Sequence, residues 1–254
     1  MLSAVLRHDR MLVLACLVTV ILLAWAYLLL GGGIGMEQMD MGGGQMMPMP
    51  PVWTPIYALL MLVMWVIMMM AMMLPSAAPA ILLAAALMRQ SGGNAPFGST
   101  GLFVFGYLAV WFGFSLVAVA SQWGLDRIGL LSADMASLNA ILSGMLLIVA
   151  GLYQLSPWKQ ACLAQCRSPF HLITKYWRRG GMGPMLAGMG HGLFCLGCCW
   201  MIMALLFVAG VMNIMWISAI ALLVALEKLL PAGPRVSQVT GILLMVWGAM
   251  VLVR

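Results

Sequence analysis

Long apolar stretches recur along this chain with only short polar breaks, and their lengths define the expected elements. A helix crossing hydrocarbon needs about 20 apolar residues at 1.5 Å rise each. Seven stretches approach or exceed that length: 11–30, 56–88, 101–120, 138–155, 184–211, 212–230 and 236–253. The second is too long for one straight crossing and carries Pro75 and Pro79, each of which removes a backbone donor and is expected to kink or break it. Between the first two, residues 31–55 are rich in Gly, Met and Pro, cannot hold a regular helix, and are expected outside the bilayer. Residues 156–183 form the longest basic interval, read as a cytoplasmic loop. The pattern predicts an all-α, polytopic transmembrane helix bundle of about seven helices, or six if one stretch is re-entrant, as a single membrane domain over residues 1–254.

Composition strengthens that picture. Hydrophobic residues make up 65% of the chain, charged residues 7%, and the mean hydropathy is +1.09, whereas soluble domains carry about 25% charged residues. The net charge of +6 is no nucleic-acid signal, because membrane proteins gather Lys and Arg at cytoplasmic helix ends. With the amino terminus cytoplasmic, Arg7, Arg10, Arg89, Lys159, Arg167, Lys175, Arg178, Arg179, Lys228 and Arg235 fall inside, against Arg127 and Arg254 outside. Gly31 to Gly35 offers no Ala-x-Ala cleavage signal, so the first stretch reads as a retained anchor. The expected location is a bacterial inner (cytoplasmic) membrane, crossed many times.

The residues with chemistry concentrate in the fifth stretch. Gly180, Gly181, Gly183, Gly188, Gly190, Gly192 and Gly197 crowd it, which predicts close backbone approach by a neighbour. On the same helix His191, Cys195 and Cys198 fall within a sector of roughly 60° at 100° per residue, with Cys199 about 40° past Cys195. Thiolate and imidazole suit Cu(I) or Zn(II), and the thiolate-rich, carboxylate-free set favours copper. The alternative is that Cys serves there as a small hydrophobe. A lone His in hydrocarbon points the other way, since buried ionisable groups are costly there. Cys162 and Cys166 lie one helical turn apart in the basic interval, able to chelate or equally to stay as free reduced thiols. They converge with Cys195 only if that interval folds back against the membrane. Cys16 reads as a packing residue.

Methionine is the third feature, with 27 residues. Met36, Met39, Met41, Met46, Met47 and Met49 are the soft donors of the Gly-rich outer loop, and thioethers bind Cu(I) far better than hard cations. Met61, Met64, Met68 and Met72 form a stripe along the second stretch, read as ordinary packing or as a sulfur-lined path from the outer loop toward the Cys residues, while Met69, Met70 and Met73 lie elsewhere around that helix. Glu227 and Lys228 are expected at headgroup level, with Lys228 snorkelling and Glu227 either solvated or reaching an inner basic residue. No catalytic set emerges: there is no placeable Ser-His-Asp arrangement and no phosphate-cradling glycine motif, and His8, His171 and His191 do not pair as haem ligands. An enzyme is not expected.

Several strings resemble a known family. They are Trp65 with Ala71-Met72-Met73-Leu74-Pro75-Ser76-x2-Pro79, then Gly151-x-Tyr153-Gln154-Leu155-x-Pro157-x-Lys159-x2-Cys162-x3-Cys166-Arg167-Ser168-Pro169. Gly190-His191-Gly192-x2-Cys195-x-Gly197-Cys198-Cys199-Trp200 and Glu227-Lys228 complete them. From about Thr54 onward the chain is similar to the bacterial integral membrane proteins described as predicted metal-binding, with a domain of unknown function, and often labelled copper chaperones. The resemblance implies that Cys162, Cys166, Cys195, Cys198 and Cys199 are metal-binding candidates; the Met-rich outer loop is not part of the family pattern.

The leading expectation is therefore Cu(I) binding through Cys and Met and delivery to a membrane or periplasmic cuproprotein. The alternative is an accessory structural subunit of a larger membrane complex, such as a copper-dependent oxidase or monooxygenase. A third reading is an ion or small-molecule transporter, which requires helices broken at midplane. Expected partners are the lipid bilayer and another membrane or periplasmic protein, with no nucleic acid.

Overall fold

Because few polar groups interrupt the apolar runs, the backbone must satisfy itself internally, and helices dominate the computed structural model of the chain. It describes residues 2–31, 38–40, 46–48, 53–90, 96–131, 139–177 and 182–253. The helices are α1 (Leu2–Leu29), α2 (Pro55–Gln90), α3 (Pro96–Arg127), α4 (Ala140–Leu155), α5 (Pro157–Arg167), α6 (Phe170–Trp177), α7 (Gly183–Ala204), α8 (Leu206–Ala209), α9 (Ile214–Leu229) and α10 (Gly233–Val253). Five segments are long and apolar enough to cross a membrane, or six if α4 and α5 form one broken span. The sixth expected stretch, 212–230, becomes α9, with 16 residues, about 24 Å of helix.

Two expectations about continuity change. Helix α2 runs unbroken through Pro75 and Pro79. The break falls instead between α4 and α5, whose axes differ by 63°. Its cause is local. Ser156 precedes Pro157, which excludes it from helical backbone, and it adopts φ −68°, ψ 145°. Its side chain then accepts from the Lys159 N–H, with Pro157 in the first turn, so the chain restarts as a capped helix. Between α1 and α2, Gln38–Asp40 and Met46–Pro48 pair as antiparallel strands β1 and β2, with Met39 opposite Met47 and Asp40 opposite Met46. The side chains of Met39, Met46 and Met47, and all of Met36, Met41 and Met49, lie outside the described residues.

Helices α2, α3, α7 and α9 enclose the core. Helices α2 and α3 run antiparallel, joined by Trp53 Nε1 to Asp126 Oδ2 at 2.6 Å, Trp65 Nε1 to Gln122 Oε1 at 2.8 Å and Tyr107 Oη to the Met73 carbonyl at 3.5 Å. Met61, Met64, Met68, Met69, Met72 and Met73 are all buried, so the methionine stripe is not a distinct face of α2. Exposed apolar side chains such as Leu22, Val117, Leu152 and Leu243 cover the outside, the surface a bilayer would solvate. Cys16, expected to pack, is exposed on α1 and lines an apolar crevice against α2 and α3.

Small residues set the closest helix contacts, as lipid offers no hydrophobic drive for association. Helices α4 and α10 are antiparallel, with Gly144 against Gly248 and Gly151 against Gly241. A Cβ added at Gly151 would lie 2.6 Å from the Gly241 carbonyl oxygen, which is backbone and cannot swing aside. Gly151→Leu is expected to destabilise by about 1–3 kcal/mol through overpacking, read as a lowered unfolding midpoint in detergent. An unchanged midpoint would show that this seam does not hold α4 to α10. On α7, Gly188 abuts the Phe103 backbone and Gly192 meets Val110 and the Tyr107 carbonyl, so α3 and α7 run parallel.

Candidate metal centre

Helix α5 folds back against α7. This is the condition under which the two cysteine groups converge, and the structure meets it: a Cβ on Gly197 would lie 2.8 Å from Cys162 Sγ, and Cys166 Sγ lies 3.9 Å from Cys198 Sγ. The interval expected to be a loop is thus, from Pro157 to Arg167, a helix whose Cys166 reaches the buried thiol of Cys198. Tyr153 on α4 adds a hydrogen bond from its hydroxyl to the Gly197 carbonyl, pinning α7 at the point where α5 arrives.

The centre of the site is a cluster of sulfurs. Cys195, Cys198 and Cys199 are buried within five residues of α7, and Cys166 of α5 joins them at Cys198. Cys198 and Cys199 point their thiols at the Cys195 carbonyl, at 3.1 and 2.9 Å. Met73 of α2 brings a thioether 4.0 Å from Cys199 Sγ. Met73 lies off the Met61–Met72 stripe, so its approach to Cys199 appears only in the tertiary arrangement of α2 and α7.

Lys228 is the second feature that sequence reasoning misplaced. It does not snorkel. It is 7% exposed, with Nζ 2.9 Å from Cys195 Sγ, 3.4 Å from Ser76 Oγ and 3.7 Å from Met73 Sδ. Tyr107 Oη lies 3.1 Å from the same Cys195 sulfur. An ammonium only donates, so Cys195 is the acceptor. Glu227, one residue earlier, turns to another helix: Lys159 Nζ is 2.7 Å from its Oε2, and Gln154 Nε2 donates to its Oε1 at 2.8 Å. Lys159 also donates to Gln154 Oε1, and Ser237 Oγ donates to the Gln154 carbonyl at 3.0 Å. Lys159 and Glu227 are 0% and 1% exposed, so of its two expected fates Glu227 takes the basic partner. The signal available in the sequence was two adjacent charges at the end of an apolar helix, where a buried charge marks a site.

His191 stacks near Phe103 and Tyr107, with ring centroids 6.1 and 5.7 Å away. It is buried, and its Nδ1 has no hydrogen-bond partner. The orphaned nitrogen sits one turn before Cys195 but does not contact the thiols through any described hydrogen bond.

Whether these donors suit a metal follows from their chemistry and spacing. Among the described residues no three His, Cys, Asp or Glu side chains converge as a ready metal-holding group. The pairs are nonetheless well spaced. A metal–thiolate bond of about 2.3 Å places two sulfurs of a trigonal set about 4.0 Å apart, and the Cys166–Cys198 and Cys199–Met73 separations are 3.9 and 4.0 Å. The donors are soft throughout, with the one nearby carboxylate, Glu227, held by Lys159. That set fits a soft monovalent ion as cargo.

Comparison with known families agrees with the donor chemistry. A family model described as a copper chaperone matches residues 62–251, spanning α2 to α10. The chain belongs to this copper chaperone family. The match includes Met73, Cys162, Cys166, Cys195, Cys198, Cys199 and Lys228, and excludes the Met-rich residues 31–55. No curated protein and no solved structure matches the chain, so the copper chaperone family is assigned from sequence, and the arrangement of its sulfurs from this structure.

Proposed function

We propose that this chain is a multi-pass protein of the bacterial inner membrane that binds Cu(I) through its buried thiols and hands it to a membrane or periplasmic cuproprotein, acting as a carrier and not as an enzyme. The observation that supports the reading is the meeting of α5 and α7, where Cys166 and Cys198 stand 3.9 Å apart in a sulfur cluster joined by Met73. Ligand exchange between sulfurs moves a soft ion without ever stripping it bare, and Cys166 on α5 is one exchange step from the cluster on α7. The Met-rich outer loop supplies donors of the same softness, on the side from which an outer acceptor would approach.

Competitive titration with a Cu(I) chelator tests this. The purified protein is expected to bind Cu(I) tightly, and the double variant Cys195→Ser/Cys198→Ser to lose roughly 100-fold or more in affinity, since even outer-shell partners cost about 10–100-fold. Wild-type protein that takes up no Cu(I) sinks the proposal. Copurification of a stable partner at fixed stoichiometry, with no copper held by this chain, would instead favour the accessory-subunit reading.

A second reading draws on the 63° break between α4 and α5, since broken helices beside an ion site are the usual build of a transporter. Copper uptake by proteoliposomes above the protein-free control would favour transport over delivery.

A further inference from the structure

Lys228 is a full charge placed among sulfurs, and the copper-binding reading alone gives it no task. Among the described residues its Nζ makes no ion pair with a carboxylate: the near groups are Cys195 Sγ, Ser76 Oγ and Met73 Sδ, and Glu227 is taken by Lys159. A buried ammonium needs a counter-charge, because an uncompensated ion in a low-dielectric interior is very costly. Only the thiols can supply it, and the closest is Cys195 at 2.9 Å. Lys228 therefore adds one fixed positive charge to the charge balance of whatever the thiolates bind.

That charge decides which ion the sulfurs can hold as a neutral unit. Two thiolates and a monovalent ion sum to −1, and Lys228 brings the total to zero. Two thiolates and a divalent ion sum to zero without Lys228 and to +1 with it. In water such a difference is screened; inside the bundle it is not. A neutral thioether such as Met73 adds ligation without altering the sum. Resting on the copper-binding reading, we propose that Lys228 is the specificity residue of the sulfur site, selecting a monovalent soft ion over a divalent one by completing charge neutrality around a two-thiolate complex. It acts through Cys195 and the local field, so it is a positioning and selecting group, not a ligand.

The test compares Ag(I), a redox-inert monovalent probe, with Cd(II), a thiophilic divalent one, in competitive titrations of the full-length protein in detergent. The readout is the ratio of the two affinities. Lys228→Leu, which leaves an apolar side chain and removes the charge without adding a sulfur donor, is expected to lower the Ag(I)-to-Cd(II) ratio by about tenfold or more, with Ag(I) affinity falling and Cd(II) affinity rising. Lys228→Arg, which keeps the charge, is expected to hold the wild-type ratio. Should Lys228→Leu not fold, Lys228→Gln removes the charge while keeping a donor for Ser76, and the same fall in the ratio is expected. An unchanged ratio in the neutral variant, or an equal fall in Lys228→Arg, overturns the proposal while leaving copper binding intact. Wild-type protein that binds neither probe overturns the copper-binding reading itself, and this inference with it.

Discussion

Replacing Cys166 by Ser is expected to weaken Cu(I) binding by roughly 100-fold or more, as ligand loss exceeds the outer-shell range of about 10–100-fold. The expectation is specific to the tertiary arrangement. Along the chain Cys166 is remote from Cys198, separated by 32 residues, yet their sulfurs lie 3.9 Å apart because α5 folds back on α7. If α5 were a solvated loop, Cys166→Ser would leave binding nearly untouched. Chelator competition on the single variant therefore measures whether α5 belongs to the site. A wild-type affinity in Cys166→Ser, alongside a loss in the Cys195→Ser/Cys198→Ser variant, would confine the ligands to α7 and its neighbours. Cys162, beside Gly197, is the natural comparison: it touches α7 but has no close sulfur partner described, so its loss should cost less.

Glu227→Gln is expected to destabilise the bundle by about 3–5 kcal/mol, the usual result of stranding one member of a buried ion pair. The carboxylate meets Lys159 at 2.7 Å with both side chains out of solvent, and Gln cannot replace the charge although it preserves hydrogen bonding to Gln154. The effect should also be directional. Lys159 opens the first turn of α5, so releasing it frees the helix that carries Cys162 and Cys166. Thermal unfolding in detergent gives the loss of stability, and faster maleimide labelling of Cys166 gives the detachment. The double variant Lys159→Met/Glu227→Leu, which removes both charges, should recover much of the stability, because a buried pair often exchanges neutrally for apolar residues of similar volume. A single variant as stable as wild type, with unaltered labelling, would show that α5 is held by packing alone.

These two expectations rest on residues whose types were legible and whose partners were not. Cys195, Cys198 and Cys199 stand within one turn on an apolar helix, so their grouping follows from 100° per residue and needs no fold. Cys162 and Cys166 were visible as a second pair, and joining the two groups required knowing that Ser156-Pro157 caps a new helix and bends the chain by 63°. That signature was present in the sequence, as a serine N-cap with proline in the first turn. Met73 and Lys228 were harder. On α2 nothing separates Met73 from its equally buried neighbours until α7 brings Cys199 to 4.0 Å. On α9 the end of an apolar helix suggested a headgroup, and a residue that snorkels in isolation turns inward when thiols offer a counter-charge.

By itself the sequence determined the helical class, most of the segment lengths and the softness of the donor set, since these depend on hydropathy, local backbone chemistry and side-chain type. The close approach at the fifth stretch was also written locally, in glycines that admit α3 and α5. Only the tertiary structure decided which sulfurs meet, where α5 lies, and that one charged residue of α9 seals α5 while the next faces Cys195. The physical reason is that apolar helices of similar length can pack in many pairings with nearly equal burial. The choice among them is made by a few glycine contacts and buried charges, whose partners lie tens of residues away in the chain.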